Sequence, residues 1–356
     1  MEIRHNKSGP LKSGGLMKIK ITLVFALAIV VSLLIYLLIV KFYVDPFLKN
    51  YSDLNRGPMI FEFYNKDINY NKVYYWGPSA IKEGVNTLVI DELDDYYEHY
   101  NLGNPASSPL RRVIELEDAI SSKPNVVVFG VGYMSFTESW LFPHDQYALI
   151  SGYVNLEKDP KLSLIYNETF KELLNKNKLD LLIYKRKFIY VATDNKIDIL
   201  RYKLTGAKKP FHFKEYNEDF KSVGILLQTN ETVDSKFLNM LEEKQEFEEY
   251  HTPSEANIEK ISFEYIIQKL LKNNIKVIIL KFPLNPLMSE KIPEEYKNNF
   301  DDFILNISNK YSLGVVDYTN NYDSSYFFDE HHLNQVGRKV FSEELTREVT
   351  NMLGER

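Results

Sequence analysis

The stretch "ITLVFALAIVVSLLIYLLIV", Ile21 to Val40, carries no charge, and Thr22, Ser32 and Tyr36 are its only clearly polar side chains. At 1.5 Å per residue a helix of this length spans roughly 30 Å, the thickness of a hydrocarbon core. The run therefore predicts a transmembrane helix over residues 21–40. A cleaved signal peptide would need a shorter apolar run and small residues at a cleavage site. The chain continues instead as "KFYVDPF", with no Ala-x-Ala pattern. Arg4, Lys7, Lys12, Lys18 and Lys20 precede the run, while Lys41 stands alone behind it, followed by Asp45. That asymmetry predicts a single-pass protein of the cell membrane, with a cytoplasmic N-terminus and an extracytoplasmic main domain. Phe42, Tyr43 and Phe47 are placed to form an interfacial aromatic collar. Sequons at Asn167, Asn230 and Asn306 permit glycosylation of the outer part.

Behind the span, composition points to an ordinary packed domain. Of 356 residues 44% are apolar, and the net charge is -6. A sequence pI near 5.8 argues against nucleic acid as a partner. There is no cysteine, which excludes disulfides, thiolate metal sites and a Cys nucleophile. The expected division is a basic tail at 1–20, the membrane helix at 21–40, a stalk at 41–70 and one α/β domain at 71–353.

Within that domain, "KVYYWG" and "YYEHYNLG" are short aromatic, β-prone runs that stop at glycine turns. "SSPLRRVIELEDAIS" places Val113, Leu116 and Ile120 at helical spacing, with Ser107 or Ser108 as N-cap. "NVVVFGVG" and "IKVIILKFP" read as strands buried on both faces. "LGVVDY" is a shorter strand. "ISFEYIIQKLLKNN", the stretch after Pro293, and "HLNQVGRKVFSEELTREVTNML" read as helices. This alternation predicts a parallel, doubly wound sheet. The pattern weakens over about 136–256, which reads as a mostly helical insertion.

Ligands of open α/β sheets bind outside the carboxyl ends of the strands. Four stretches there carry candidate chemistry. In "WGPSAIKEG", Ser79 follows the first strand at a tight turn, either as an exposed nucleophile or simply as a helix N-cap. Gly103 of "NLGNPASSP" offers an N–H to the same crevice, or marks an ordinary turn. The glycines of "FGVGYMSF" require a close approach to the backbone, by a ligand or by packing. In "FDEHHLNQVG", Asp329 and His332 stand three apart, so their side chains can meet without help from the rest of the fold. A serine needs a base, and the base a carboxylate that fixes its tautomer. His331 is expected to point elsewhere, as a rim residue. A metal held by Asp329, His331 and His332 is not expected, because no HExxH and no second carboxylate cluster accompanies them. No cofactor is called for.

The order Ser, Gly, Gly-x-x, then Asp-x-x-His-Leu-Asn resembles the SGNH (GDSL-like) hydrolase superfamily. Within it, the chain resembles the membrane-anchored branch that contains the D-alanine transfer protein of teichoic-acid systems and the alginate O-acetylation proteins. The resemblance covers Lys72–Met134 and Ile261–Leu353. It implies a flavodoxin-like, SGNH-type sheet and acyl transfer to or from a hydroxyl. Residue by residue it implies Ser79 as nucleophile, His332 as base and Asp329 as its acid. It further implies an oxyanion held by the N–H groups of Ser79 and Gly103, with Gly132 as a backbone substitute in the third block. Asn104, Tyr133 and Asn285, each close behind a strand, are the candidate substrate contacts. Two departures stand out. Pro78 occupies the usual aspartate position of the first block. The third block reads Gly130-Val131-Gly132 and lacks the asparagine donor.

Three functions fit. The first is an anchored acyltransferase or acylesterase acting on a surface glycan, partnered by a membrane-bound O-acyltransferase and held in the bilayer by residues 21–40. The second is a stand-alone extracytoplasmic esterase or lipase acting on acyl esters. The third is a non-catalytic scaffold or glycan-binding protein with the same fold. All three require the outer location. Protease added to spheroplasts is expected to digest epitopes after Val40 and to spare one placed before Lys12, and the opposite protection pattern would overturn the topology.

Overall fold

The computed structural model describes residues 13–44, 56–66, 71–105, 107–136, 197, 200, 204, 205, 220 and 257–354. Helix α1 (Ser13–Ile39) contains the apolar run. Residues Ile21–Tyr43 are long and apolar enough to cross a membrane, with mean hydropathy 3.2, and 6% of that window is buried in the protein. Such exposure of Leu, Ile, Val and Phe side chains suits lipid and is costly in water.

The next helix, α2 (Arg56–Tyr64), corrects the expected stalk. Met59, Ile60, Phe61, Phe63 and Tyr64 are all buried in the main core. These residues therefore pack with the domain, and positions 45–55 of the expected stalk lie outside the described residues. The elements that follow are β1 (Lys72–Trp76), α3 (Ser79–Gly84), α4 (Thr87–Leu93), β2 (Glu98–Asn101) and α5 (Pro109–Ser121), capped by Ser108. Then come β3 (Val126–Val131), a 3-10 turn at Tyr133–Phe136, α6 (Ile258–Lys272), β4 (Lys276–Lys281) and α7 (Pro286–Ser289). The chain closes with α8 (Glu294–Tyr311), β5 (Gly314–Asp317), a 3-10 turn at Ser324–Tyr326 and α9 (Gln335–Leu353). The expected insertion at 136–256, with Asn167 and Asn230, lies almost wholly outside the described residues. Asn306 is exposed on α8.

All five strands pair in parallel, in the order β2-β1-β3-β4-β5. Alternation along each strand divides the core into two layers. Tyr74, Trp76, Val127 and Phe129 face α2, α5, α6 and α8. Val73, Tyr75, Val126 and Val128 face α3, α4 and α9. Helices cover both faces, which is why the central strands read as unbroken apolar runs. The chain leaves β1 toward β2 and then returns past β1 to β3, so the switch point lies at the carboxyl ends of β1 and β3.

Helix α3 sits close against that edge because glycines make room for it. Gly77, at φ +153°, and Gly130 both accommodate Ile81, whose Cγ1 would lie 2.3 Å from a Cβ at either position. Gly103 lets the helix backbone itself approach, and a Cβ there would lie 2.4 Å from Lys82 N. A backbone atom cannot swing away as a side chain can. Gly103→Ala is therefore expected to displace α3 and to lower stability by about 1–3 kcal/mol, read as a reduced urea midpoint. An unchanged midpoint would show that the approach is not tight.

Candidate active site

Ser79 is the first residue of α3, and Pro78 occupies the N-cap position with no side-chain cap. The serine hydroxyl is therefore not used as the cap, and the residue is partly open to solvent. Its seat is fixed by two fully buried residues that sequence reading passed over. Asn101 donates Nδ2 to the carbonyls of Ile81, Lys82 and Val85, at 3.0, 3.1 and 2.7 Å. The carbonyls of Lys82 and Val85 lie where a short helix leaves acceptors unpaired, while Ile81 O also accepts Val85 N–H at 3.0 Å. Arg112 donates Nη2 to Gly77 O at 3.0 Å and to Leu102 O at 2.8 Å, so it ties the exits of β1 and β2 together.

The Asp329–His332 pair belongs to a loop pinned on both sides. Phe327 bridges Leu333, and Phe328 N donates to His332 O at 2.8 Å. Asn285 donates Nδ2 to Asp329 O at 3.2 Å, and its backbone N donates to Glu330 O at 3.3 Å. Asp329 Oδ1 accepts the backbone N–H groups of His331 and His332, at 3.0 and 2.7 Å. Asp329 Oδ2 meets His332 Nδ1 at 2.7 Å. Burial alone would raise the Asp329 pKa. The His332 hydrogen bond, the charges of both histidines and the His331 N–H outweigh it and bring it down to about 2. An ionised carboxylate only accepts, so His332 Nδ1 must donate and a neutral ring keeps its lone pair on Nε2. That Nε2 is buried and has no hydrogen-bond partner. It is the atom a general base would use.

Within "HLNQVG", Leu333, Asn334 and Gly337 each have a structural task beside His332. Leu333 is a buried anchor. Asn334 caps α9 by accepting Gly337 N at 3.0 Å, and it donates to Ser325 O at 2.7 Å. A Cβ on Gly337 would lie 2.3 Å from Tyr326 O. The helix that follows rests on α3: Phe341 and Leu333 lie beside Gly84, and Ser342 Oγ accepts Asn86 N at 2.9 Å. Ser79 follows β1 and His332 lies in the loop after β5, ahead of the helix α9 that packs on α3; no hydrogen bond joins the two side chains.

Several expected roles need correction. Gly103 N–H is donated to Asn101 Oδ1 at 3.0 Å, and Gly132 N–H to Ser135 Oγ at 3.0 Å, so neither amide faces a ligand. Gly132 is glycine because the Phe282 ring lies where its Cβ would be. Tyr133 is buried against Phe300 and receives the Tyr296 hydroxyl on its carbonyl, a core position and not a substrate contact. Asn104 is buried, with its amide oxygen toward the Arg111 guanidinium once the amide is turned. Asn285 is fully buried and holds the Asp329 loop. His331 does not point away: its ring centroid lies 4.1 Å from that of His332. Burial first and the His332 charge second lower its pKa to about 4, against the opposing pull of Asp329. A third overlooked residue is Arg338, buried on α9, where burial lowers its pKa against the pull of Glu83 on α3.

A protein-family model matches residues 195–354, under half of the chain. No curated protein matches the sequence. Among solved structures, one that aligns with it is a lipase/acylhydrolase from Enterococcus faecalis, at 10% identity and TM-score 0.39 over 79% of this chain and 96% of that one. An acetyl xylan esterase aligns at 14% identity and TM-score 0.36, over 79% and 98% of the two chains. An acylhydrolase of Bacteroides fragilis aligns at 10% identity and TM-score 0.37, over 82% and 94%.

The depressed Asp329 pKa has a consequence for acid stability. A carboxyl held below its unfolded value stabilises the fold above that value, and the contribution is lost as pH falls through the folded one. For Asp329 the window runs from roughly pH 4 down to about 2. Asp329→Asn is expected to lower stability at pH 7 by on the order of 2 kcal/mol, with the gap closing across that window in thermal melts. A gap independent of pH would show that the charge is not what the pair contributes.

Proposed function

We propose that this protein is a membrane-anchored serine acyltransferase or acylesterase acting outside the cytoplasm on hydroxyls of a cell-envelope glycan. The observation that supports the reading is the unpartnered Nε2 of His332, its tautomer set by Asp329, ahead of the helix that packs on α3, whose first residue is Ser79. The resemblance to SGNH hydrolases supplies the reaction class. The parallel order β2-β1-β3-β4-β5 supports the flavodoxin-like sheet that the resemblance implies.

In this reading Ser79 Oγ attacks the ester carbonyl while its proton passes to His332 Nε2. Asp329 stabilises the resulting imidazolium without taking the proton. Collapse of the tetrahedral intermediate expels the first alcohol, which recovers the proton from His332, and leaves an acyl group on Ser79. A glycan hydroxyl or water then repeats the sequence in reverse. With the Gly103 and Gly132 amides engaged by side chains, the oxyanion donor left in this scheme is Ser79 N–H. Each absent donor costs on the order of a hundredfold in rate or more, so slow turnover is expected. Transfer, with a membrane-bound O-acyltransferase delivering the acyl group, uses the anchor better than free hydrolysis does.

The same engaged amides favour a second reading, a scaffold or glycan-binding protein that keeps the fold without turnover. A chromogenic acetyl ester and a serine-reactive phosphonate, applied to the full chain in detergent, separate the readings. Ser79→Ala is expected to lower turnover by roughly a thousandfold and abolish labelling. Its melting temperature should move little, because the hydroxyl caps nothing. Acceleration by an oligosaccharide acceptor would favour transfer, and indifference to it the stand-alone esterase. Wild type as inert as Ser79→Ala toward both reagents would favour the scaffold.

A further inference from the structure

The acyl-transfer scheme gives His331 no task, yet the loop holds it firmly beside His332. Each histidine has a carboxylate behind it. Asp329 Oδ2 lies 2.7 Å from His332 Nδ1, and Glu330 Oε1 lies 3.5 Å from His331 Nδ1. The rings are 4.1 Å apart between centroids and tilted by 48°. Successive residues of an extended chain point to opposite sides. Here the turn closed by Asp329 Oδ1 on two successive N–H groups rolls both rings to one side. With both Nδ1 atoms directed to carboxylates, the Nε2 atoms are the donors the pair has left. His332 Nε2 has no partner.

One ligand atom from each of Asp329, His331 and His332 lies within 4.8 Å of the others. The nitrogens of a tetrahedral zinc site, each about 2.05 Å from the metal, are separated by roughly 3.3 Å. The two imidazole rings, 4.1 Å apart between centroids, lie close enough for both to reach one ion after a rotation of the side chains. A histidine whose Nδ1–H is donated to a carboxylate is the usual form of a metal-binding imidazole. His332 has that bond, to Asp329 at 2.7 Å, and the Glu330 carboxylate lies 3.5 Å from His331 Nδ1.

The geometry points to a binding site for a borderline transition-metal ion of the zinc class, formed by Nε2 of His331 and His332 and completed by water. Asp329 and Glu330 stand behind the two ligands and orient them. Nitrogen ligands favour zinc over magnesium or calcium, which prefer all-oxygen shells. The ion would take the His332 lone pair that the acyl-transfer scheme needs for the Ser79 proton. Zinc would therefore hold the serine silent until withdrawn. This inhibitory consequence rests on the proposed function; the binding itself does not.

The test uses the full chain in detergent, stripped with a chelator and titrated with Zn²⁺ in a calorimeter. Wild type is expected to bind one ion. His331→Gln is expected to bind about a hundredfold more weakly, and Mg²⁺ to give no comparable heat. His331 is partly exposed, so the substitution should leave the melting temperature close to wild type. His332→Gln serves as a second binding variant. Phosphonate labelling, scored against each protein's own zinc-free rate, should fall in wild type over the concentrations that fill the site. The His331→Gln variant should need about a hundredfold more zinc for the same loss. Equal zinc affinity in wild type and His331→Gln, or no binding by wild type up to roughly 100 µM, would overturn the site. Binding that depends on His331 in a protein that never labels would leave the metal site standing and remove the serine reading. Labelling that zinc slows equally in wild type and His331→Gln would remove the metal site and leave the serine.

Discussion

The guanidinium of Arg112 lies beneath the candidate site with no exposed surface, and much of the local structure is arranged around it. It stacks over Trp76, 5.5 Å from the ring, and Nη1 binds Glu115 at 2.8 Å. Nη2 holds the carbonyls at the exits of β1 and β2, while the buried Nε has no hydrogen-bond partner. A buried charge is tolerable only when paired and hydrogen-bonded, and removing one partner commonly costs 3–5 kcal/mol. Lysine could not replace it, because one point charge cannot span a carboxylate and two carbonyls on separate loops. By fixing Gly77 O and Leu102 O, Arg112 fixes where α3 begins and how closely the loop carrying Gly103 approaches it. The glycine contacts and the Asn101 cap then follow as a fit between surfaces already in register.

On the far side of the crevice the organising group is Asp329, and its logic is electrostatic where that of Arg112 is positional. Its oxygens accept two backbone N–H groups and an imidazole N–H, enough to overcome the burial that would otherwise protonate it. The same contacts fold the loop and choose the histidine tautomer. Structure and acid–base chemistry are thus set by one carboxylate, which is why a D-x-x-H spacing can be informative when isolated from the rest of a sequence.

That local character explains what the sequence disclosed. "KVYYWG", "NVVVFGVG" and "IKVIILKFP" are recognisable as strands because burial on both faces leaves mostly apolar residues in them, and the edge strand of "LGVVDY" is shorter and only partly buried. Asp329 and His332 meet through a three-residue separation that needs no tertiary information. Orientation relative to distant elements is another matter. The sequence shows that Gly103 and Gly132 have N–H groups but not that Asn101 Oδ1 and Ser135 Oγ accept them. It shows His331 next to His332 but not that the turn brings their rings together. Arg112, Asn101 and Arg338 look like surface residues in a helix or at a strand end, since a buried polar side chain differs from an exposed one only in its partners. Helix α2 was hidden for a similar reason: "RGPMIFEFY" follows a membrane segment, and its apolar residues are as compatible with a stalk as with a core.

The placement of α2 also bears on how the anchor relates to the site. Eleven residues separate Val44 from Arg56, a reach of at most about 40 Å even when fully extended. Arg56, the first residue of α2, is buried and does not merely begin the domain. Its Nη2 donates to Asn101 O at 2.6 Å and its Nε to Gly103 O, while its guanidinium lies over Phe220. The strand exit that Arg56 grips is the one whose Asn101 side chain caps the Ser79 helix. The grip uses the carbonyls of that loop, and the Asn101 amide uses those of α3. Arg56 is therefore connected to the helix that begins at Ser79 through two successive sets of hydrogen bonds, its own to the carbonyls of Asn101 and Gly103 and those of the Asn101 amide to the carbonyls at the end of α3.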